Sequence, residues 1–315
     1  MPIYSLFQYF CENIRNILEQ YFGNQAKPTE YVSLEEIRLR ATRPLILKFS
    51  ESELALDYIV STEDILETLQ NICENSIYSY QNQICSGFIT IRGGHRVGIA
   101  GNIVMEKNQI INVNYISSLN FRIAKQIKGC SNKIWKYILD MENNTVFNTL
   151  IVSEPGAGKT TILRDTVRRI SGGIENINFK GITVGLVDER GEIAAMYKGV
   201  AQNDVGMRTD ILSNVPKAIG MKMLIRSMAP KVIVADEIGS KADTEAIHEA
   251  VCSGIKGIFT AHGASMEDLA MNPSLKELIN SHVIERIVFL GTKGPKGEID
   301  KVYALNKMNS EYVSY

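Results

Sequence analysis

The chain has 315 residues, of which 45% are hydrophobic and 22% are charged, a composition typical of ordinary globular proteins. Its 34 basic and 35 acidic side chains nearly cancel, which excludes a general electrostatic attraction to nucleic acid or anionic lipid. The scattered cysteines, none spaced as CxxC, and the absence of an apolar run of ~20 residues argue against a disulfide framework and a membrane span. We therefore expect two domains in a cytosolic protein that reaches a membrane only by docking to partners.

Residues 1–143 are predicted to form a small α+β domain without a catalytic motif. Apolar residues from Ile3 to Phe22 recur at helical spacing, which predicts one amphipathic helix packed on its own domain. The expected elements that follow are strands at Glu36–Arg40 and Leu45–Phe49, a helix that starts at Ser61–Asp64, a hairpin within 88–104 and a strand near Ser118–Ala124.

Beyond residue 144, apolar strands alternate with helices, a pattern typical of a mostly parallel sheet that is covered on both faces. The domain boundary is expected in the polar stretch MENNTVFN, which gives domains 1–143 and 144–315. The expected strands are Thr149–Val152, Thr183–Val187, Val232–Ala235, Gly257–Thr260, Ile287–Leu290 and Val302–Leu305, and the expected helices are Lys159–Ile170, Pro216–Met228 and Ala242–Cys252.

The stretch SEPGAGKTT (153–161) has the context of a phosphate-binding loop, or Walker A motif, since it follows an apolar strand and opens a helix. Glycines let backbone N–H groups curl around a phosphate, and the helix N-terminus adds its positive dipole end. Lys159 is expected to reach the β- and γ-phosphates of ATP, and the Thr160 hydroxyl to bind Mg²⁺. The nucleotide-binding candidates are Glu154, Pro155, Gly156, Ala157, Gly158, Lys159, Thr160 and Thr161.

A second element, KVIVADE (231–237), is an apolar strand that ends in two acids, like a Walker B motif. Asp236 is expected to hold Mg²⁺, as the strand-end aspartate does in enzymes with a phosphate-binding loop. Glu237, one residue further on, is placed to polarise the attacking water. The two elements together predict a Mg²⁺-dependent ATPase.

Other charged residues follow the remaining strands. Glu189 ends GITVGLVDE and His262 ends GIFTAHG, both at the sheet edge where ligands bind in open α/β folds. A solvated turn and a structural histidine are the alternatives. Arg190, Arg208 and Arg226 are each either an arginine finger for a neighbouring subunit or an ordinary salt-bridge partner.

The order SEPGAGKTT, VDERGEIAA, MLIRSMAPKVIVADEIGS and IFTAHG resembles the secretion-type ATPases of type II and type IV secretion and pilus assembly. This resemblance implies a RecA-like ATPase domain behind the smaller α+β domain, and it puts Glu189 in the acidic box, Glu237 at the catalytic glutamate and His262 in the histidine box. This sequence departs from the pattern of the secretion ATPases at Ser153, which replaces the first loop glycine, and at Asp236, where many of those enzymes have glycine. Arg226 lies one residue too far from the following proline, so Arg208 is the first choice for the finger.

The phrases EIRLRATRPLIL, GGHRVGIAG, SSLNFRIAKQIKGC and GMRTDILSNVPKAIGMKMLIRSMAPKVIVADEIG resemble more closely the stage III sporulation protein AA family of endospore-forming bacteria. The resemblance implies a hexameric ATPase in the mother-cell cytoplasm. It also implies docking on membrane-embedded channel proteins of the same sporulation operon, between mother cell and forespore, which would make the protein peripheral at that membrane.

Two other functions remain open. A nucleic-acid-dependent remodeller would use basic residues of the N-terminal domain, but few aromatics interleave them, and we expect no nucleic-acid partner. A nucleotide-dependent scaffold with slow turnover would share the phosphate loop, although Glu237 argues against it. The residues in question for the first alternative are Arg38, Arg40, Arg43, Arg92, His95 and Arg96.

Overall fold

The computed structural model describes residues 3–292, 296–306 and 308–315, and the chain packs as two compact units. The first unit contains the residues up to Lys125 together with Ala195–Gln202, and the second contains Gln126–Ala194 and Asn203–Tyr315. The expected position 143/144 lies inside the second unit. The two units are defined by which residues pack together, whereas a domain boundary is defined by which segment folds by itself. The boundary at 143/144 therefore stays a prediction.

The elements before residue 126 are α1 (Tyr4–Phe7), α2 (Glu12–Gln20), a π-helical turn (Tyr21–Gln25), α3 (Pro28–Ser33), β1 (Leu34–Arg40), β2 (Pro44–Phe49), β3 (Glu53–Ile59), α4 (Thr62–Ile72), a 3₁₀ turn (Ile77–Tyr80), α5 (Gln81–Cys85), β4 (Phe88–Thr90), β5 (Arg96–Glu106) and β6 (Gln109–Arg122). The six strands form one antiparallel sheet in the order β3-β2-β1-β6-β5-β4. The predicted α+β character of this part is therefore confirmed.

The N-terminal helix is broken in the structure, so the prediction of a single amphipathic helix over Ile3–Phe22 is wrong. Cys11 has extended backbone angles (φ −57°, ψ 161°), and its N–H donates to the Thr68 hydroxyl of α4 at 3.1 Å rather than to the preceding turn. Phe7 at the end of α1 and Phe10 directly before the break are both buried. The break brings apolar side chains into the core that a straight helix would direct elsewhere.

The hairpin predicted within 88–104 is present and continues beyond that range. Gly93 and Gly94, between β4 and β5, have positive φ angles of 90° and 77°. A second turn at Lys107 and Asn108, with φ 46° and 63°, joins β5 to the long strand β6. Two consecutive positive φ angles characterise the tight turns whose twist matches antiparallel strands.

The elements from residue 126 are a 3₁₀ turn (Cys130–Lys133), α6 (Trp135–Ile138), β7 (Leu139–Asp140), β8 (Thr145–Val146), β9 (Thr149–Ser153), α7 (Lys159–Gly172), a 3₁₀ turn (Glu175–Ile177), β10 (Val184–Asp188), β11 (Met196–Tyr197), β12 (Val200–Ala201), β13 (Thr209–Ser213), α8 (Lys217–Met228), β14 (Val232–Ala235), α9 (Lys241–Cys252), β15 (Lys256–His262), α10 (Met266–Met271), α11 (Pro273–Asn280), β16 (Arg286–Leu290), β17 (Ile299–Asn306) and β18 (Glu311–Ser314). The large sheet has the order β13-β10-β14-β15-β9-β16-β17-β18. Its first six strands are parallel and the last two are antiparallel, which confirms the predicted mostly parallel sheet.

The sheet order places the chemically interesting strand ends side by side. Strands β10, β14, β15 and β9 are consecutive neighbours, although α-helices and loops separate them along the chain. Their residues are almost completely buried, as expected for strands covered on both faces. The carboxyl ends of these four strands therefore form one edge, where ligands bind in open α/β sheets. No helix in the described part of the chain is long and apolar enough to cross a bilayer.

Candidate nucleotide site

The loop between β9 and α7 has the backbone of a phosphate cradle. Gly156 and Gly158 have φ angles of 82° and 94°, a region that side chains with a Cβ rarely adopt. Gly158 precedes the first residue of α7, so the free N–H groups of the helix start point toward the concave side of the loop. A Cβ added to Gly156 would meet no atom of the described residues within 4 Å. The geometry fits a bound phosphate group.

The neighbouring segment supports this loop from the side. The Ala157 carbonyl accepts a hydrogen bond from the Gly297 N–H at 2.8 Å, and the Glu154 carboxylate accepts one from the Thr292 hydroxyl at 3.2 Å. Ala157 is buried, whereas Glu154 and Pro155 are exposed. Of the predicted nucleotide-binding residues, Ala157 and Glu154 therefore hold the loop to Gly297 and Thr292, and Pro155 lies exposed between them.

Lys159 is the buried cation of the site. Its side chain is folded inward, with Nζ 2.8 Å from the Ser153 carbonyl and 2.9 Å from His262 Nδ1. Burial lowers the pKa of Lys159, although the carboxylates of Asp236 and Glu237 act in the opposite direction. Because a buried ammonium is stabilised by an anionic partner, Lys159 is suited to bind a phosphate.

Thr160 and Asp236 provide oxygen atoms at the predicted Mg²⁺ position. The Thr160 hydroxyl donates to Asp236 Oδ2 at 3.0 Å, and the Thr260 hydroxyl donates to Asp236 Oδ1. Burial raises the pKa of Asp236, and the two hydroxyl hydrogen bonds oppose that shift. Hydroxyl and carboxylate oxygens suit Mg²⁺, which usually takes its remaining ligands from phosphates and water. The described residues contain no group of three or more His, Cys, Asp or Glu arranged for a metal.

Glu237 is held in a fixed conformation by its neighbours. Its φ angle of 53° lies in the left-handed region, and its N–H donates to the Thr260 hydroxyl at 2.8 Å. One carboxylate oxygen, Oε2, lies 2.6 Å from the Arg190 guanidinium, and the other, Oε1, lies 3.1 Å from His262 Nε2. Backbone strain of this kind is frequent at functional positions.

His262 connects the lysine to the glutamate. The parallel register pairs it with Ser153 on the neighbouring strand β9, which brings its ring over the start of the phosphate loop. An ammonium can only donate, so Nδ1 accepts from Lys159 and Nε2 carries the hydrogen that is donated to Glu237. The structure thus brings the predicted histidine and glutamate together with the phosphate-loop lysine.

The acidic box divides its two carboxylates between different tasks. Asp188 is buried, and its oxygens accept hydrogen bonds from the backbone N–H groups of residues 192–194 at 2.8 to 3.2 Å. Glu189 forms an ion pair with Lys217 at the start of α8 and lines a small cleft together with Asp236 and Glu237. Asp188 therefore shapes the loop that follows β10, while Glu189 faces the site.

The other two predicted arginines lie away from the phosphate loop of their own chain. Arg208 donates to the Ser171 carbonyl at 3.0 Å, near the end of α7 that is farther from Lys159. Twelve residues of helix separate those positions by about 18 Å. Arg226 is exposed in the last turn of α8, whereas the first residue of that helix pairs with Glu189. A role of Arg208 or Arg226 in a neighbouring subunit stays a prediction.

Two residues of the site escaped the sequence interpretation. Thr260 contacts both acids, and the signal for it was a hydroxyl residue inside the otherwise apolar strand GIFTA. Arg164 of α7 donates to the carbonyls of Ile193 and Glu192 at 2.9 and 2.6 Å, and so connects the phosphate-loop helix to the acidic-box loop. Nothing in the local pattern around Arg164 distinguishes it from the other helix arginines.

Comparison with known proteins identifies the family. The sequence profile of the family described as “Sporulation stage III, protein AA” matches residues 4–309. The chain belongs to this family. Within the sporulation stage III, protein AA family, the stage III sporulation protein AA of Bacillus subtilis (strain 168) is 38% identical over 293 residues, which span 93% of this chain and 92% of that protein. The resemblance predicted from the sequence phrases is therefore confirmed.

Solved structures show which fold this family member shares. The ATPase DotB of Legionella pneumophila superimposes with a TM-score of 0.56 at 12% identity and covers 95% of this chain and 79% of its own. The pilus retraction motor PilT, solved with bound ADP, superimposes with a TM-score of 0.52 at 13% identity, over 87% of this chain and 76% of its own. At such identities the likeness concerns the fold. The predicted fold class, a RecA-like α/β domain with a mostly parallel sheet preceded by a smaller α+β domain, is confirmed.

Proposed function

We propose that the chain is a Mg²⁺-dependent ATPase that converts hydrolysis into domain motion for a sporulation-associated assembly between mother cell and forespore. The observation that carries this proposal is the connected set Lys159, His262 and Glu237, which lies beside Thr160 and Asp236 at the carboxyl edge of the sheet. Structural roles alone do not require a buried lysine after β9 beside a half-buried aspartate and a glutamate with a left-handed backbone, both after β14.

Each residue has a definite task in this proposal. The loop N–H groups and Lys159 bind the β- and γ-phosphates, while Thr160 and Asp236 hold Mg²⁺, which neutralises phosphate charge. Glu237 orients the attacking water and accepts its proton. Glu189 contributes a further carboxylate at the edge of the cleft.

The proposed assembly is a homo-oligomer, a hexamer, with the active site shared between subunits. Arg208 and Arg226 are exposed and lie away from the phosphate loop of their own chain, as a residue that serves a neighbour would. Membership of the sporulation family supports partners among the membrane-embedded channel proteins of the same operon and a place in the mother-cell cytoplasm, peripheral at the membrane.

The first test is the steady-state ATP hydrolysis rate as a function of protein concentration, for the wild type and for Glu237→Gln. We expect the rate per subunit to rise with concentration, and the variant to lose about 10²-fold or more, since it lacks the base. Glu142→Gln, an exposed carboxylate in the turn between β7 and β8, is the matched control and should keep the wild-type rate.

Two results would argue against this proposal. A negligible wild-type rate, or an equal rate in Glu237→Gln, would favour a nucleotide-dependent scaffold. A rate per subunit that does not change with protein concentration would contradict an active site shared between subunits.

No observation favours a nucleic-acid function for the basic residues of the first unit. His95 is buried, Arg38 pairs with Glu36 at 2.5 Å, and the Arg96 guanidinium lies over the Phe88 ring at 4.6 Å. These three side chains have protein neighbours, which removes them from any basic face that tracks a phosphate backbone. Arg43 and Arg92 are exposed, and a nucleic-acid role for them is not proposed.

A further inference from the structure

Arg190 holds the proposed catalytic base within its own chain. It follows the acidic box directly, and its guanidinium lies 2.6 Å from Glu237 Oε2. The Arg190 side chain is 65% exposed, whereas that of Glu237 is 22% exposed. The ion pair therefore joins a long, solvent-facing arginine to a glutamate that the surrounding structure has already fixed.

The loop that carries Arg190 is anchored at both ends. The Asp188 carboxylate accepts three backbone N–H groups from residues 192–194, and Arg164 of the phosphate-loop helix holds the carbonyls of residues 192 and 193. Because the backbone is tied to the helix that starts at Lys159, it keeps a fixed distance from the phosphate loop. The Arg190 side chain extends from this anchored backbone into solvent.

The ion pair competes with the chemistry proposed for Glu237. Its Oε2 accepts from the Arg190 guanidinium and its Oε1 accepts from His262, so both oxygens of the base already have hydrogen-bond donors. A water molecule whose proton is to be removed needs one of these oxygens. A γ-phosphoryl group bound at Lys159 carries more negative charge than one carboxylate and binds guanidinium with the same fork geometry.

We propose that Arg190 is a positioning residue that acts in its own subunit, pairing with Glu237 until the γ-phosphate of ATP draws the guanidinium away. This inference rests on the proposed ATPase function. Glu237 Oε2 then accepts the proton of the attacking water as the water oxygen bonds to the γ-phosphorus. The bond from that phosphorus to the bridging oxygen breaks, and the electron pair leaves with ADP. Arg190 thereby makes release of the base depend on the third phosphate.

Nucleotide binding gives the first test, because ADP and a non-hydrolysable ATP analogue differ in that third phosphate. For Arg190→Ala we expect about tenfold weaker binding of AMP-PNP, with ADP affinity changed less than about twofold. Arg190→Lys, which keeps the charge, should recover part of the AMP-PNP affinity. Lys301→Ala, an exposed cation on β17, should bind both nucleotides like the wild type. Equal weakening of both nucleotides in Arg190→Ala would mean a merely structural role and would overturn the inference.

Mixing of subunits gives the second test, because it separates an arginine that serves its own subunit from one that serves a neighbour. Arg190→Ala, which lacks the guanidinium that binds the γ-phosphate, and Glu237→Gln, which lacks the base, are each expected to hydrolyse ATP slowly. A mixture should stay equally slow, since no subunit has both residues. If Arg190 instead served the adjacent subunit, about a quarter of the interfaces in the mixture would combine an intact arginine with an intact glutamate. Recovery of activity on mixing would overturn the inference.

The failures of the two proposals can be told apart. If the wild-type protein does not hydrolyse ATP, the proposed function itself is contradicted. Hydrolysis that depends on Glu237, together with unchanged rates and nucleotide affinities in Arg190→Ala, would remove only the role of Arg190. Circular dichroism of Arg190→Ala confirms that the variant is folded before either comparison.

Discussion

At the residue scale, Thr260 organises the two acids of the candidate site from inside strand β15. Its hydroxyl donates to Asp236 and accepts from the backbone N–H of Glu237 at 2.8 Å, so its single hydrogen and a lone pair both have partners. The left-handed backbone of Glu237 costs about 1–3 kcal/mol, and the hydrogen bond to Thr260 helps to offset that cost. One buried hydroxyl thus positions both the Mg²⁺ ligand and the base.

Replacement of this hydroxyl tests that role. Thr260→Val keeps the shape of the side chain but leaves the Asp236 carboxylate and the Glu237 N–H each without one partner, so we expect the free energy of unfolding to fall by about 1–3 kcal/mol. Urea unfolding measures this loss, and Thr260→Ser, which keeps the hydroxyl, should lose clearly less. The same urea midpoint in wild type and Thr260→Val would show that Thr260 does not hold the acids.

At the element scale, His95 links the turn between β4 and β5 to the chain that leaves β6. Its Nδ1 accepts a hydrogen bond from the Ala124 N–H at 3.0 Å, and the ring is buried. Burial lowers the pKa of His95 to about 4. The ring is therefore neutral in the folded protein at neutral pH, and its protonation would remove the acceptor at Nδ1.

The sign of the resulting pH dependence follows from the lowered pKa. The unfolded chain binds a proton at His95 near pH 6.5, whereas the folded chain does so only near pH 4. The contribution of the neutral His95 ring to the free energy of unfolding is therefore fully present above about pH 6.5. It decreases by about 1.4 kcal/mol per pH unit as the pH falls toward 4. Between pH 7 and pH 5 the wild type should lose about 1–2 kcal/mol more than His95→Gln, which cannot be protonated. Parallel pH profiles of the unfolding free energy in the two proteins would contradict this prediction.

At the scale of the whole molecule, neither compact unit is one continuous segment. Residues 195–202 form the β11–β12 hairpin and belong to the first unit, where Tyr197 and Lys198 both contact the Glu74 carboxylate, at 2.6 and 2.5 Å. Residues 126–143 belong to the second unit, where Ser131 donates through its N–H and hydroxyl to the buried Asp165 of α7 at 2.9 and 2.7 Å. Both hydrogen bonds to Oδ2 of the buried Asp165 carboxylate therefore come from a segment ahead of the expected boundary.

Truncated proteins test where the ATPase domain begins. A fragment 144–315 lacks the donors to Asp165 and the apolar side chains of Ile134, Trp135 and Ile138, all of which are buried. We expect it to be less stable than a fragment 126–315 by more than about 3 kcal/mol, since it loses both apolar burial and hydrogen bonds to a buried carboxylate. Thermal unfolding followed by circular dichroism makes the comparison, and equal melting temperatures would support the boundary at 143/144.

The sequence by itself determined what depends on residues close together in the chain. The glycines at 156 and 158 require the left-handed backbone that the phosphate loop has, and β9, β14 and β15 were recognisable because buried parallel strands are continuous apolar runs. The family was equally accessible, because whole phrases of the chain carry it.

Only the tertiary structure decided how distant segments meet. Arg190, Glu237 and His262 come from three strands whose neighbours are set by the order of the sheet, so their contacts cannot be inferred from spacing along the chain. The break at Cys11 has the same cause. So does the assignment of residues 126–143 to the second unit and of residues 195–202 to the first, which the expected boundary at 143/144 did not foresee. In each case a hydrogen bond or buried surface from a remote segment outweighs the local pattern, and that partner is absent from the local sequence.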